Sequence, residues 1–135
     1  MPTINVEILE GRTLDQKRAL IKEICDVITV AFKVPADAVS VRVQDMKFID
    51  LENGDESYWD FFQHEGKVLC SGSGEPRITI FCIEGRSLEQ KREAVRQISE
   101  KCAEILGISL GEVKVFINDM KKDQFSIGGK LICDR

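Results

Sequence analysis

A proline directly follows the initiator methionine, and the run Pro2-Thr3-Ile4-Asn5-Val6-Glu7-Ile8-Leu9 leads to Glu10-Gly11-Arg12. Removal of Met1, favoured by the small second residue, would leave Pro2 with a free secondary amine. An α-amino group titrates near pH ~8 in water, and a dry pocket lowers that value by disfavouring the charged form. A base poised near neutrality suits proton abstraction next to a carbonyl.

The elements that must hold this proline occur twice. Shifting the sequence by 74 positions (76 − 2) sets Pro2 on Pro76 and Glu10-Gly11-Arg12-Thr13-Leu14 on Glu84-Gly85-Arg86-Ser87-Leu88. The same shift sets Gln16-Lys17-Arg18 on Gln90-Lys91-Arg92 and Asp45-Met46-Lys47 on Asp119-Met120-Lys121, with no gap. A shift of 63 (129 − 66) then matches Gly66-Lys67-Val68-Leu69-Cys70 to Gly129-Lys130-Leu131-Ile132-Cys133, and Phe62 to Phe125. The difference, 74 − 63 = 11, is an insertion in the first half, expected near 48–59. The chain therefore divides into a first unit over 1–70, a flexible joint at 71–75 (Ser71-Gly72-Ser73-Gly74) and a second unit over 76–135.

Each unit reads strand, helix, strand. Ile4, Val6 and Ile8 alternate with polar residues, as in a half-buried strand. Thr13-x-x-Gln16 and Ser87-x-x-Gln90 are capping-box patterns. Beyond them Ile21, Ile24, Ile28 and Ala31, widened by Leu20, Val27 and Phe32, predict an amphipathic helix, as do Val95, Ile98, Cys102 and Ile105. Pro35 and Gly107 punctuate the helix ends. Second strands are expected at Val39–Val43 and Val113–Ile117, then small Gly-containing hairpins at Phe62–Cys70 and Phe125–Cys133. The fold class is α/β (α+β): tandem β-α-β units forming a four-stranded sheet with two helices on one face. One unit of ~60 residues has too little core to stand alone comfortably. Apolar residues on the other sheet face predict further association, met by three chains packing sheet-inward.

Composition is that of an ordinary globular protein, 43% hydrophobic and 31% charged. No apolar run approaches a membrane span and no basic, then apolar, leader opens the chain, so a cytoplasmic location with no membrane partner is expected. A net charge of −4 argues against nucleic acid as the main partner, while local basic spots still admit a small anion. The five cysteines have no zinc or C-x-x-C spacing and read as reduced, mostly buried thiols.

Pro2, the Leu-Glu-Gly-Arg-Thr sequence closing the first strand, and Phe125-Ser126-Ile127-Gly128-Gly129 together resemble the 4-oxalocrotonate tautomerase family, over residues 2–47 and 76–133. The resemblance implies two short β-α-β subunits fused in tandem, assembled as a homotrimer. It also implies a cofactor-independent isomerase acting on a small anionic carboxylate, with the terminal proline as base. In that family two arginines hold carboxylate and carbonyl oxygens and an aromatic ring keeps the pocket dry. Arginine's planar fork suits carboxylates, and a cation near the carbonyl stabilises a developing enolate.

By that resemblance Pro2 is the catalytic base. Pro76 is its counterpart, but its nitrogen is a tertiary amide and has no basic lone pair, so each chain carries one proline-based site. Arg12 and Arg86 match the family's first arginine. A strand from 3 to 9 puts Arg12 roughly 25–30 Å from the Pro2 nitrogen, so Arg86 serves Pro2 if the two first strands run antiparallel. At the second arginine the chain departs from the family, with Ser40 and Lys114 there; Arg42, or Lys114 from a neighbouring chain, is the candidate replacement. Phe62 and Phe125 match the aromatic wall.

Blander readings stand beside these. Arg12 and Arg86 precede helix starts, a poor place for a cation, which favours a functional reason for them. Arg42 and Lys114 are equally readable as surface charge, and His64 as a solvent-exposed hairpin residue. Tyr58 and Trp59 pack a loop or cover the site's mouth. Asp50, Glu52, Asp55 and Glu56 form a solvated acidic run, not a metal site; no metal or cofactor is called for. Hydration, dehalogenation or decarboxylation on the same frame, or a trimeric binding scaffold, are the competing functions.

Overall fold

The structure, a computed structural model, describes residues 2–46, 52–53, 56–57 and 76–135. Strand β1 (Thr3–Leu9) leads into helix α1 (Leu14–Ala31) and returns as β2 (Ser40–Met46). Two short paired strands follow, β3 (Glu52–Asn53) and β4 (Glu56–Ser57). The second half repeats the plan with β5 (Arg77–Ile83), helix α2 (Leu88–Leu106) and β6 (Lys114–Met120). It closes with a hairpin of β7 (Ser126–Ile127) and β8 (Lys130–Leu131).

Both capping boxes form. Thr13 Oγ1 accepts from the Gln16 N–H at 3.1 Å while Gln16 Oε1 accepts from the Thr13 N–H at 2.9 Å, and Ser87 with Gln90 repeats the pair at the same distances. These bonds satisfy donors that a helix start otherwise leaves unpaired. At the C-terminal ends the halves diverge. Gly107 takes the left-handed conformation after α2 (φ 67), whereas Lys33 takes it after α1 (φ 53).

The four long strands form one sheet in the order β2-β1-β5-β6. β1 pairs parallel with β2, β5 parallel with β6, and the two inner strands meet antiparallel. Ile4, Val6 and Ile8 of β1 and Ile78, Ile80 and Cys82 of β5 point to the helix side and are wholly buried against Leu20, Ile24, Ile28, Ala94, Ile98 and Cys102. Each large aliphatic side chain so buried contributes roughly 1.5–3 kcal/mol. Among the described residues no helix is long and apolar enough to cross a membrane.

Details depart from the periodicity. Ile21 is 40% exposed, because Leu20, Val27 and Phe32 centre the α1 stripe one position away from it. On α2 the buried line is Ala94, Ile98, Cys102 and Leu106, with Val95 and Ile105 half-buried at its flanks. β2 starts after Val39, whose N–H closes a 3-10 turn on Ala36, and it runs on through polar Gln44 and Asp45. Lys17 Nζ holds Asp45 at 2.6 Å, and Lys91 holds Asp119 at 2.6 Å at the end of β6. In the last hairpin, positive φ at Gly128 and Gly129 provides a two-residue turn that residues with a Cβ rarely adopt. The hairpin expected at 62–70 lies outside the described residues.

Candidate active site

The antiparallel β1–β5 register decides which residues share an end of the sheet. Thr3 faces Phe81 and Glu7 faces Arg77. Continued by one step each way, that register sets Pro2 opposite Cys82 and Pro76 opposite Ile8. Six strand steps separate the two ends, about 20 Å. Both prolines are wholly buried.

At the Pro2 end, the Ser40 N–H donates to the Pro2 carbonyl at 3.1 Å, tying the start of β2 to it. Arg86 leaves the end of β5 and lies with its Cζ over the Phe32 ring, 5.4 Å from the centroid. Its Nη1 makes one long contact with the Ile83 carbonyl, 3.4 Å. Its Nε is buried and has no hydrogen-bond partner among the described residues. A buried donor in that state costs about 1–3 kcal/mol until an acceptor reaches it. Phe125 is half-buried and follows β6, whose last residue Met120 bonds to Glu84 at this same end through its carbonyl, 2.8 Å. The structure therefore gathers Pro2, Arg86 and the Phe125 segment at one end of one chain.

The polar row beside them is asymmetric between the halves. Cys82 Sγ donates to Asp119 Oδ1 at 3.3 Å, where the first half has Ile8. Burial, reinforced by that carboxylate, pushes the Cys82 thiol up to about 11, so it stays neutral at physiological pH. The Lys91 hydrogen bond holds the Asp119 carboxyl below its ordinary value.

At the Pro76 end, Lys114 donates its N–H to the Pro76 carbonyl at 3.2 Å. Arg12 reaches across to α2 and donates from Nη1 to the Leu106 carbonyl at 3.0 Å. This revises the electrostatic expectation for Arg12. Its own helix start is a poor place for a cation, but α2 lies antiparallel beside α1 and offers its carbonyl end instead. A structural reason for Arg12 is thus in view.

Arg42 and Lys114 are exposed and stand apart from Pro2 within one chain. Arg42 faces Asn5, on the sheet face away from the helices, and Lys114 is at the opposite end of the sheet. Only another copy of the chain can bring Lys114 to Pro2. Phe62, His64, Tyr58 and Trp59 lie outside the described residues. Sequence reasoning did not assign Phe32, Cys82 or Asp119 to this end. The signal was present in the 74-residue shift, which sets Phe32 on Leu106 and Ile8 on Cys82, two mismatches inside otherwise matching elements. Among the described residues no group of three or more His, Cys, Asp or Glu side chains is placed to hold a metal ion.

A family model described as "Tautomerase enzyme" matches the chain twice, over residues 2–60 and 76–135. The chain belongs to the tautomerase family. This tautomerase is accordingly an enzyme of the isomerase class. It is 39% identical over 59 residues to the 2-hydroxymuconate tautomerase of Bacillus subtilis (strain 168), an alignment covering 44% of this chain and 95% of that protein. A crystal structure of native fused 4-OT superposes with a TM-score of 0.81 at 26% identity, covering 97% of this chain and 96% of that one. A fused 4-OT asymmetric trimer superposes with a TM-score of 0.79 at 25% identity and the same coverage. The tautomerase thus has the tandem fused architecture, two β-α-β units in one chain.

Proposed function

We propose that this tautomerase moves a proton between the enol and keto forms of an unsaturated or 2-oxo carboxylate, with Pro2 as general base once Met1 is removed. The observation that carries the reading is Arg86, whose buried Nε lacks a partner among the described residues at the Pro2 end. A substrate carboxylate or carbonyl oxygen accepts from that guanidinium and removes the cost of the unsatisfied donor. The neutral Pro2 amine takes the enol proton and returns it to carbon as the carbonyl forms. Burial and the Arg86 charge both lower the basicity of the amine toward neutrality. Phe125 closes the pocket against water.

Pro76 has no basic nitrogen, so the pocket at the Pro76 end is silent in this scheme. We also propose that the chain divides into a first unit over 1–70 and a second over 76–135, joined at 71–75. The assembly is a homotrimer, a reading supported by the fused 4-OT asymmetric trimer at 25% identity; in it Lys114 of a neighbouring copy or Arg42 completes the charge around the substrate.

The test follows 2-hydroxymuconate by ultraviolet absorbance with wild-type and Pro2→Ala protein, alongside the intact mass. A positioned base is worth about 10²–10⁴ in rate. A mass lacking one methionine and a loss of that size in Pro2→Ala support the reading. Full rate in Pro2→Ala, or Met1 retained in active protein, refutes it.

A further inference from the structure

The two arginines related by the repeat are held differently, although both helix ends close with the same kind of main-chain bond. After α1 the Val34 N–H donates to the Thr29 carbonyl at 3.2 Å, and after α2 the Ile108 N–H donates to the Ala103 carbonyl at 3.1 Å. Phe32 and Leu106 occupy the equivalent position in these two helix ends, and both are 4% exposed. Next to leucine, Arg12 donates to the main-chain carbonyl. Next to phenylalanine, Arg86 rests on the ring instead, and its Nε stays uncommitted among the described residues.

We propose that Phe32 is a positioning residue for Arg86, carrying the guanidinium on the face of its ring so that the hydrogen-bonding edge stays available to a substrate oxygen. All five guanidinium donors lie in its plane, so contact with the π face compensates the charge without using any of them. A helix C-terminus otherwise draws a nearby cation onto its carbonyls. The ring thus separates a substrate-binding arginine from a helix-capping one within a single chain. This inference rests on Arg86 being the substrate-binding cation of the proposed function.

A double-mutant cycle tests it, with 2-hydroxymuconate as the probe and the thermal midpoint recorded for each protein. Phe32→Leu installs the residue that the second half already uses at this position, so the packing has a precedent. It is expected to lower kcat/KM about tenfold in the wild-type background. In the Arg86→Ala background the same change should alter kcat/KM by less than about twofold, because there is no guanidinium left to position. Phe32→Tyr, which keeps the ring face, should stay within about threefold of wild type. Equal losses from Phe32→Leu with and without Arg86, or no loss with Arg86 present, overturn the role of Phe32 while leaving that of Arg86 standing. Wild-type kcat/KM in Arg86→Ala overturns both. A crystal structure of the Phe32→Leu protein supports the inference if Arg86 has turned to the main-chain carbonyl of residue 32, and counts against it if the guanidinium has not moved.

Discussion

Replacing Arg12 and Arg86 separately by alanine should give opposite results. Arg12 donates at 3.0 Å to the Leu106 carbonyl at the end of α2. Its loss removes one charge-assisted hydrogen bond, worth about 1.5–3 kcal/mol at most and less where water can reach the carbonyl, so about 1–2 kcal/mol is expected. For a chain of 135 residues that lowers the thermal midpoint by about 2–7 °C. Activity should remain within about threefold of wild type, since Arg12 lies roughly 25–30 Å from Pro2. Among the described residues Arg86 makes only a 3.4 Å contact with Ile83 and a ring contact with Phe32, and its Nε is unsatisfied. Truncation removes a modest cation–π attraction together with the cost of a buried unpaired donor. These terms oppose each other, and the midpoint should move by less than about 2 °C. Loss of one or two charge-assisted bonds to the substrate, about 1.5–3 kcal/mol, lowers kcat/KM by about 10–150-fold. Thermal melts and initial rates on 2-hydroxymuconate, taken on the same preparations, provide both readouts. Equal activity losses in the two variants would refute the argument, because the pairing of arginines to ends would then be wrong.

Three further outcomes are expected. Lys33→Gly should raise stability by about 1 kcal/mol in urea melts, since a side chain at φ 53 is strained and Gly107 occupies the equivalent place without strain; Gly107→Ala should cost a similar amount. Burial holds the Cys82 and Cys102 thiols at about 11 and about 12, so in native protein at pH 8 a thiol reagent should label exposed Cys133 well before either, as read by peptide mass mapping. The Lys91 bond lowers the folded carboxyl of Asp119 from its ordinary 3.8, so its stabilisation is complete above that value and fades as pH falls through the lower folded one. Asp119→Asn should therefore cost under about 1 kcal/mol at pH 7, since the pair is partly exposed, and should flatten the loss of stability between pH 4 and 2.

Local signals carried most of the fold. Thr13 and Ser87 cap helices where the pattern places them, and the alternation of Ile4, Val6 and Ile8 identifies the buried face of β1. The polar ends of β2 and β6 were not legible, because Asp45 and Asp119 are held there by lysines from the helices and not by apolar burial. Nor was the destination of Arg12. A helix-dipole argument applied to one helix at a time points away from a cation there, and its sign changes only when the antiparallel neighbour is in place. Placing Arg86 at the Pro2 end likewise required the β1–β5 register, which periodicity alone does not specify.

Where a chain contains the same unit twice, each half serves as a control for the other. Positions that match across the 74-residue shift, such as the capping boxes and the lysine–aspartate clamps, answer to the fold, because both halves must satisfy the same backbone. Positions that differ inside matching elements need a reason the fold does not supply. Phe32 against Leu106 and Cys82 against Ile8 are two of these, and both lie at the Pro2 end. In the proposed mechanism only one proline nitrogen is basic, which removes chemical demand from the other end and keeps the packing demand. Under that asymmetry the arginine at the silent end can be used to cap a helix, while its counterpart must be kept from doing so. On that reading the different environments of Arg12 and Arg86 follow from the difference in demand.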